Sequence, residues 1–309
     1  MNKKSILKFI NIAIIATIIY LSFRYMFQIS KELSCEKVIA AFNSVQISYI
    51  IWALGLTILN YIIITFYDIS VASQLKLKIP LKRLSLISLI TFIINNNLGF
   101  GAFLGGILRF RFFTKMNINI KDIGKYLVIL SWVYWVGLIF LSLITFLFIE
   151  PNYMFNLPFT NIKFSGYEIG IASLVILLAF SSLSIIKDIF NLKWKILFPI
   201  ASSKRLVIIT IISTLDWLLL SFVFYFLLPN GLSFENFFPI FLVAQIGAVT
   251  SHVPAGIGVF DSIIIYYLKN IFNVNTLFLS LLLYRVIYFI LPMIIALLML
   301  LIYEKTYKA

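Results

Sequence analysis

Six charged side chains stand in or beside long apolar stretches of this sequence: Arg24, Asp68, Arg109, Asp216, Asp261 and Arg285. A charge at the centre of a membrane helix costs about 2.5–3.5 kcal/mol on insertion scales, so each needs a partner, water or a function. Arg24 is placed to snorkel to an interface. Asp68 falls near the end of its apolar run, where solvation and function are equally open. Asp216 and Arg285 lie deeper; a structural ion pair between them and a role at a site both fit. Arg109 and Asp261 stand beside two breaks in the apolar pattern, and they are the charged residues expected to act.

The breaks read NNNLGFGAFLGGILRFRF (95–112) and GAVTSHVPAGIG (247–258). Gly99, Gly101, Gly105 and Gly106 in the first, and Gly256 and Gly258 in the second, admit positive φ and close backbone approach. Close packing of helices through small residues is the plainer account of any single glycine. Two clusters with Asn, His and Pro beside them favour functional breaks. A helix starting after each would point its positive N-terminal end into the membrane, which suits an anionic phosphate or carboxylate. Asn97 and His252 are carried as candidate binding residues. Each also has a structural reading: Asn95, Asn96 and Asn97 as partners for freed backbone groups, His252 as a hydrogen-bonded histidine. Trp132, Tyr134, Trp135 and Trp194 read as interface and packing aromatics, not as a ligand box.

Enzyme signatures are missing. There is no Walker A loop, GxSxG or HExxH, and no tight set of carboxylates with histidine. Cys35 and His252 are each alone of their kind, so no disulfide framework, metal site or cofactor is expected. No catalytic residue is assigned.

The elements that must position these residues follow from composition. The chain has 309 residues, 62% hydrophobic and 12% charged, against roughly half and a quarter in soluble domains. It reads as one all-α polytopic membrane domain over 1–309. The net charge of +14 lies in short interhelical loops, a topology signal and not a nucleic-acid surface. Six segments read as complete spans: 8–29, 47–73, 124–149, 167–187, 206–228 and 277–303. The first has a basic start but no small-residue cleavage site, so it reads as a retained helix. Two more apolar segments, 84–108 and 236–260, contain the breaks. If they turn back as re-entrant hairpins, 19 Lys and Arg fall inside and 4 outside; if they cross, the tally is 10 against 13. The positive-inside rule selects six spans and two oppositely oriented re-entrant hairpins, with both termini cytoplasmic. Paired breaks of this kind point to a transport site. A weak internal repeat agrees: Asp68 and Asp216 precede the breaks by similar distances, and Gly106-x-x-Arg109 parallels Gly258-x-x-Asp261.

SHVPAGIGVFDSIIIYYL (251–268), LGGILRFRFF (104–113) and LLYRVIYFILP (282–292) resemble motifs of the flippase-like transmembrane family. That family includes the membrane half of lysylphosphatidylglycerol synthase, the multiple peptide resistance factor. The resemblance implies a prokaryotic cytoplasmic-membrane protein that moves the headgroup of a membrane phospholipid or lipid-linked glycan between leaflets. It carries the Gly256–Gly258 turn, Arg109 and Arg285 over as site residues. Asp261 falls where the family has the longer Glu, and Ala255 where it usually has Gly. Because the sequence stops at YEKTYKA, no aminoacyl-transferase domain is expected and no lysyltransferase activity. The competing expectation is a non-transporting membrane partner of an envelope glycosyltransferase or a separate lipid-modifying enzyme. A homo-oligomer remains open.

Overall fold

Apolar runs flanked by Lys and Arg fold as expected into long helices. The computed structural model describes residues 34–98, 103–150, 152–156, 163–189 and 203–307, with Arg24 and Phe27. The rest of the expected span 8–29, the glycines Gly99 and Gly101, and Trp194 lie outside the described residues. A short helix α1 (Cys35–Ser44) leads into α2 (Ile47–Gln74). Then come α3 (Leu81–Leu98), α4 (Phe103–Thr114) and α5 (Ile120–Ile144), the last extended by a π-helical turn, Thr145–Ile149. A two-stranded ribbon, β1 (Met154–Asn156) with β2 (Lys163–Ser165), precedes α6 (Gly166–Ile189) and α7 (Ser203–Tyr225). The chain ends with α8 (Phe234–Ser251), α9 (Val259–Leu268), α10 (Val274–Tyr284) and α11 (Leu291–Thr306). A π-helical stretch, Arg285–Ile290, joins the last two into one apolar helix from Val274 to Thr306. The protein is an all-α polytopic membrane protein.

Both broken segments turn back. In the first, the Gly105 N–H donates to Asn95 Oδ1 at 3.3 Å and the Arg109 guanidinium lies 4.5 Å from the Phe92 ring centre. Those two contacts run antiparallel, so α3 and α4 form a hairpin. Its two outer ends meet the same last turn of α11: Arg83 Nε donates to the Tyr303 hydroxyl at 2.8 Å, and Arg111 pairs with Glu304 at 3.0 Å. In the second hairpin a side chain at Gly247 would strike Ile263, so α8 and α9 pack face to face. Its outer ends also lie together, Gly231 before α8 facing Phe272 after α9. That base adjoins the start of α10 and the start of α2, where Tyr49 bonds Asn230 at 3.3 Å. The helix Val274–Thr306 thus runs from the base of one hairpin to the base of the other, and the hairpins enter from opposite ends.

By length alone α8 would pass for a span: 18 residues rise about 27 Å, close to the ~30 Å hydrocarbon core. What stops it is backbone geometry. His252, Ala255, Gly256 and Gly258 have φ of 57°, 50°, 64° and 82°, left-handed values that no right-handed helix continues. Elsewhere the bundle closes through small residues. Gly137 on α5 lets its N–H reach Ser213 Oγ on α7 at 2.9 Å, where a Cβ would stand 2.3 Å from the Ser213 carbonyl carbon. The tip of the second hairpin, Pro254–Gly256, packs on α3. The two breaks therefore meet inside the bundle.

Candidate functional site

Two ion pairs hold the hairpins. Arg109 donates to both oxygens of Asp68, Nε at 3.0 Å and Nη2 at 2.8 Å, with 3% of its surface exposed and none of Asp68's. The Ser88 and Tyr126 hydroxyls donate to the same carboxylate. Four donors fill its lone pairs, tying α2, α3, α4 and α5 together. Asp68 is therefore not solvated at a helix end: it is the buried partner of Arg109.

The second pair corrects the expected one. Arg285 does not bond Asp216; its Nη2 meets Asp261 Oδ1 at 2.7 Å and its Nη1 donates to the Ala255 carbonyl. The other Asp261 oxygen accepts the Gly258 N–H at 2.8 Å, capping α9 at its third residue. Asp261 thus fixes the α9 start, and Arg285 ties that start to the left-handed turn. Arg285 begins the π-helical stretch, and Pro292, two residues past its end, supplies no N–H for the Tyr288 carbonyl. Tyr61 fills that vacancy, its hydroxyl donating to the carbonyl at 3.0 Å. Asp216, 2% exposed, takes hydrogen bonds from Asn60 Nδ2 and the Tyr67 hydroxyl, each at 2.7 Å.

A cavity of about 320 Å³ lies where the hairpins meet. The first hairpin contributes Phe92, Asn95, Asn96 and Arg109; the second contributes Gln245, His252 and the Val253–Gly256 turn. Leu127, Ser131, Tyr134 and Trp135 of α5, Leu220 of α7, and Tyr284, Tyr288 and Phe289 add to the wall. The Tyr284 hydroxyl is buried and makes no hydrogen bond of normal geometry. Among the described residues no three His, Cys, Asp or Glu side chains gather to hold a metal. The cavity offers hydrogen-bond donors, one guanidinium and aromatic faces.

Residues 8–296 match the model of the lysylphosphatidylglycerol synthase transmembrane region. The chain belongs to that family. An uncharacterised protein of Synechocystis is 29% identical over 265 residues, 84% of this chain and 80% of its own length. The inner membrane protein YbhN of Escherichia coli is 26% identical over 277 residues, 88% and 84% of the two chains. The phosphatidylglycerol lysyltransferase of Staphylococcus xylosus is 28% identical over 249 residues, 78% of this chain but 28% of that enzyme. This chain thus matches less than a third of the enzyme's length.

Within this family member the expected site residues divide. Arg109, His252 and Gly256 line the cavity. Asp261, Arg285 and Gly258 stand behind it and shape the turn. Gly105 lets Asn95 and Arg109 approach: a Cβ there would lie 3.1 Å from each. Gly106 faces Leu127 on α5. Asn97 turns away, its amide donating to the Ile93 carbonyl of its own helix at 2.9 Å. His252 bonds the Thr250 carbonyl at 2.8 Å while its ring reaches the cavity. Tyr134 and Trp135, expected as packing aromatics, line the cavity, whereas Trp132 packs on Phe180 with ring centres 5.1 Å apart. Gln245 had no signal in the sequence beyond being a polar residue in an apolar helix.

Proposed function

We propose that this protein is a lipid translocase whose cavity receives the anionic headgroup of a phospholipid or lipid-linked glycan, without catalytic chemistry. The observation that carries this reading is the cavity at the junction of two opposed hairpins, its mostly apolar wall interrupted by the polar groups of Asn95, Asn96, Arg109, Gln245 and Tyr284. Such backbone breaks are tolerated at membrane depth only where protein or a hydrated cavity covers them. Its volume of about 320 Å³ sits at the low end of ligand pockets, ~300–1,000 Å³, and suits a headgroup whose acyl chains stay in lipid. Arg109 keeps N–H groups beyond those that bind Asp68, and the Tyr284 hydroxyl makes no hydrogen bond of normal geometry. Both suit a phosphate and its neighbouring oxygens. The lysyltransferase activity named for the Staphylococcus relative is not carried over.

The test is purified protein in vesicles containing a phospholipid with a fluorescent headgroup, probed with an impermeant reductant. Translocation exposes the inner-leaflet label as well as the outer. Quenching limited to the outer-leaflet share, as in protein-free vesicles, refutes the proposal and leaves the non-transporting role.

A further inference from the structure

Among the described residues three aspartates are buried in the bundle, and two have a guanidinium: Asp68 with Arg109, Asp261 with Arg285. Asp216 has neutral partners only. A buried ion without a counter-charge carries a desolvation penalty of several kcal/mol, and a proton is the simplest relief. The surroundings fit both protonation states. The Asn60 amide donates to one oxygen, and the Tyr67 hydroxyl at the other can donate to a carboxylate or accept from a carboxyl.

The same group is wired to the cavity. Asn60 Oδ1 accepts the Tyr288 hydroxyl at 2.8 Å, and the Tyr288 ring lines the cavity beside Tyr284. Leu220, one helical turn after Asp216, lines it too. Among the described residues the titratable groups that interact with Asp216 from the packed elements are all tyrosines: Tyr61 and Tyr67 on α2, Tyr134 on α5, and Tyr284 and Tyr288 on the last helix. Nothing cationic among the described residues neutralises it.

We propose that Asp216 is a proton-binding site whose protonation, felt at the cavity through Asn60 and Tyr288, couples lipid movement to a proton gradient. The proton adds to the oxygen facing Tyr67, which then accepts instead of donating; no bond in the lipid is made or broken. This rests on the translocase reading.

The experiment adds a pH difference of one unit, at zero electrical potential, to vesicles holding the protein and a labelled anionic phospholipid. One proton per lipid supports up to about tenfold enrichment in one leaflet, since a pH unit is a factor of ten in equilibrium. We expect at least a twofold enrichment that a protonophore abolishes, and no enrichment for Asp216→Asn. Lipid movement without enrichment, or enrichment that survives Asp216→Asn, overturns the coupling and leaves the translocase reading intact. No movement under any condition overturns both. Should Asp216→Asn fold poorly, Tyr67→Phe removes one donor from the carboxylate and should shift the pH midpoint of lipid movement by about one unit. An unchanged midpoint in that variant refutes the proposal, because a merely structural tyrosine alters yield and not the midpoint.

Discussion

Replacing Asp68 and Arg109, singly and together, separates the structural from the functional role of the buried pair. Asp68→Asn leaves the guanidinium, 3% exposed, without a counter-charge, and breaking a buried pair this way costs about 3–5 kcal/mol. Arg109→Gln leaves the carboxylate with two hydroxyl donors, Ser88 and Tyr126, so its cost should fall at the low end, about 3 kcal/mol. The double variant removes both charges and should cost no more than the worse single. The interaction energy is then at least about 3 kcal/mol, the cost of the lesser single variant. Against a total stability of about 5–15 kcal/mol, each single variant remains measurable. The assay is equilibrium unfolding in bilayers or mixed micelles, with lipid movement measured on the same preparations. Asp68 does not line the cavity and Arg109 does. The double variant should therefore be folded and slow. Costs that add within about 0.5 kcal/mol refute the pair as a coupled structural unit. A double variant that is both stable and fully active refutes Arg109 as a headgroup ligand.

Gly256→Ala should destabilise by about 2–5 kcal/mol, from the left-handed backbone and from a Cβ placed 2.7 Å from the Ala248 Cβ. Adding Ala248→Gly should return only the steric part, about 1–3 kcal/mol; a silent Gly256→Ala in the same unfolding assay contradicts the turn. Cysteines introduced near Lys115 and near Asn230 should label from opposite faces of the membrane, Lys115 from the cytoplasmic one by the charge rule. Labelling of both from one face excludes opposed hairpins.

The expected span 47–73 became Ile47–Gln74, and 277–303 became Val274–Thr306. Hydropathy finds such segments because lipid is a uniform solvent, so each residue's preference for it is local. The hairpins were legible for a related reason: clustered Gly, Asn, His and Pro mark where an apolar segment is interrupted, and the loop charges then choose between crossing and returning. Arg109, His252 and Gly256 line the cavity, and all three stand in those breaks. Partner choice was not legible. Arg285 sits 24 residues from Asp261, and Arg109 sits 41 from Asp68; nothing local distinguishes those pairings from Arg285 with Asp216. Which residues face one another depends on how each helix is rotated about its axis, about 100° per residue. That rotation is set by packing across the bundle, as where Gly137 admits Ser213. For the same reason Asn95 and Asn96 reach the cavity while Asn97, the next residue, bonds back to its own helix. Composition along the chain determined which stretches enter the membrane and where they break; only the rotation of the packed helices decided which charges pair and which polar groups share a cavity.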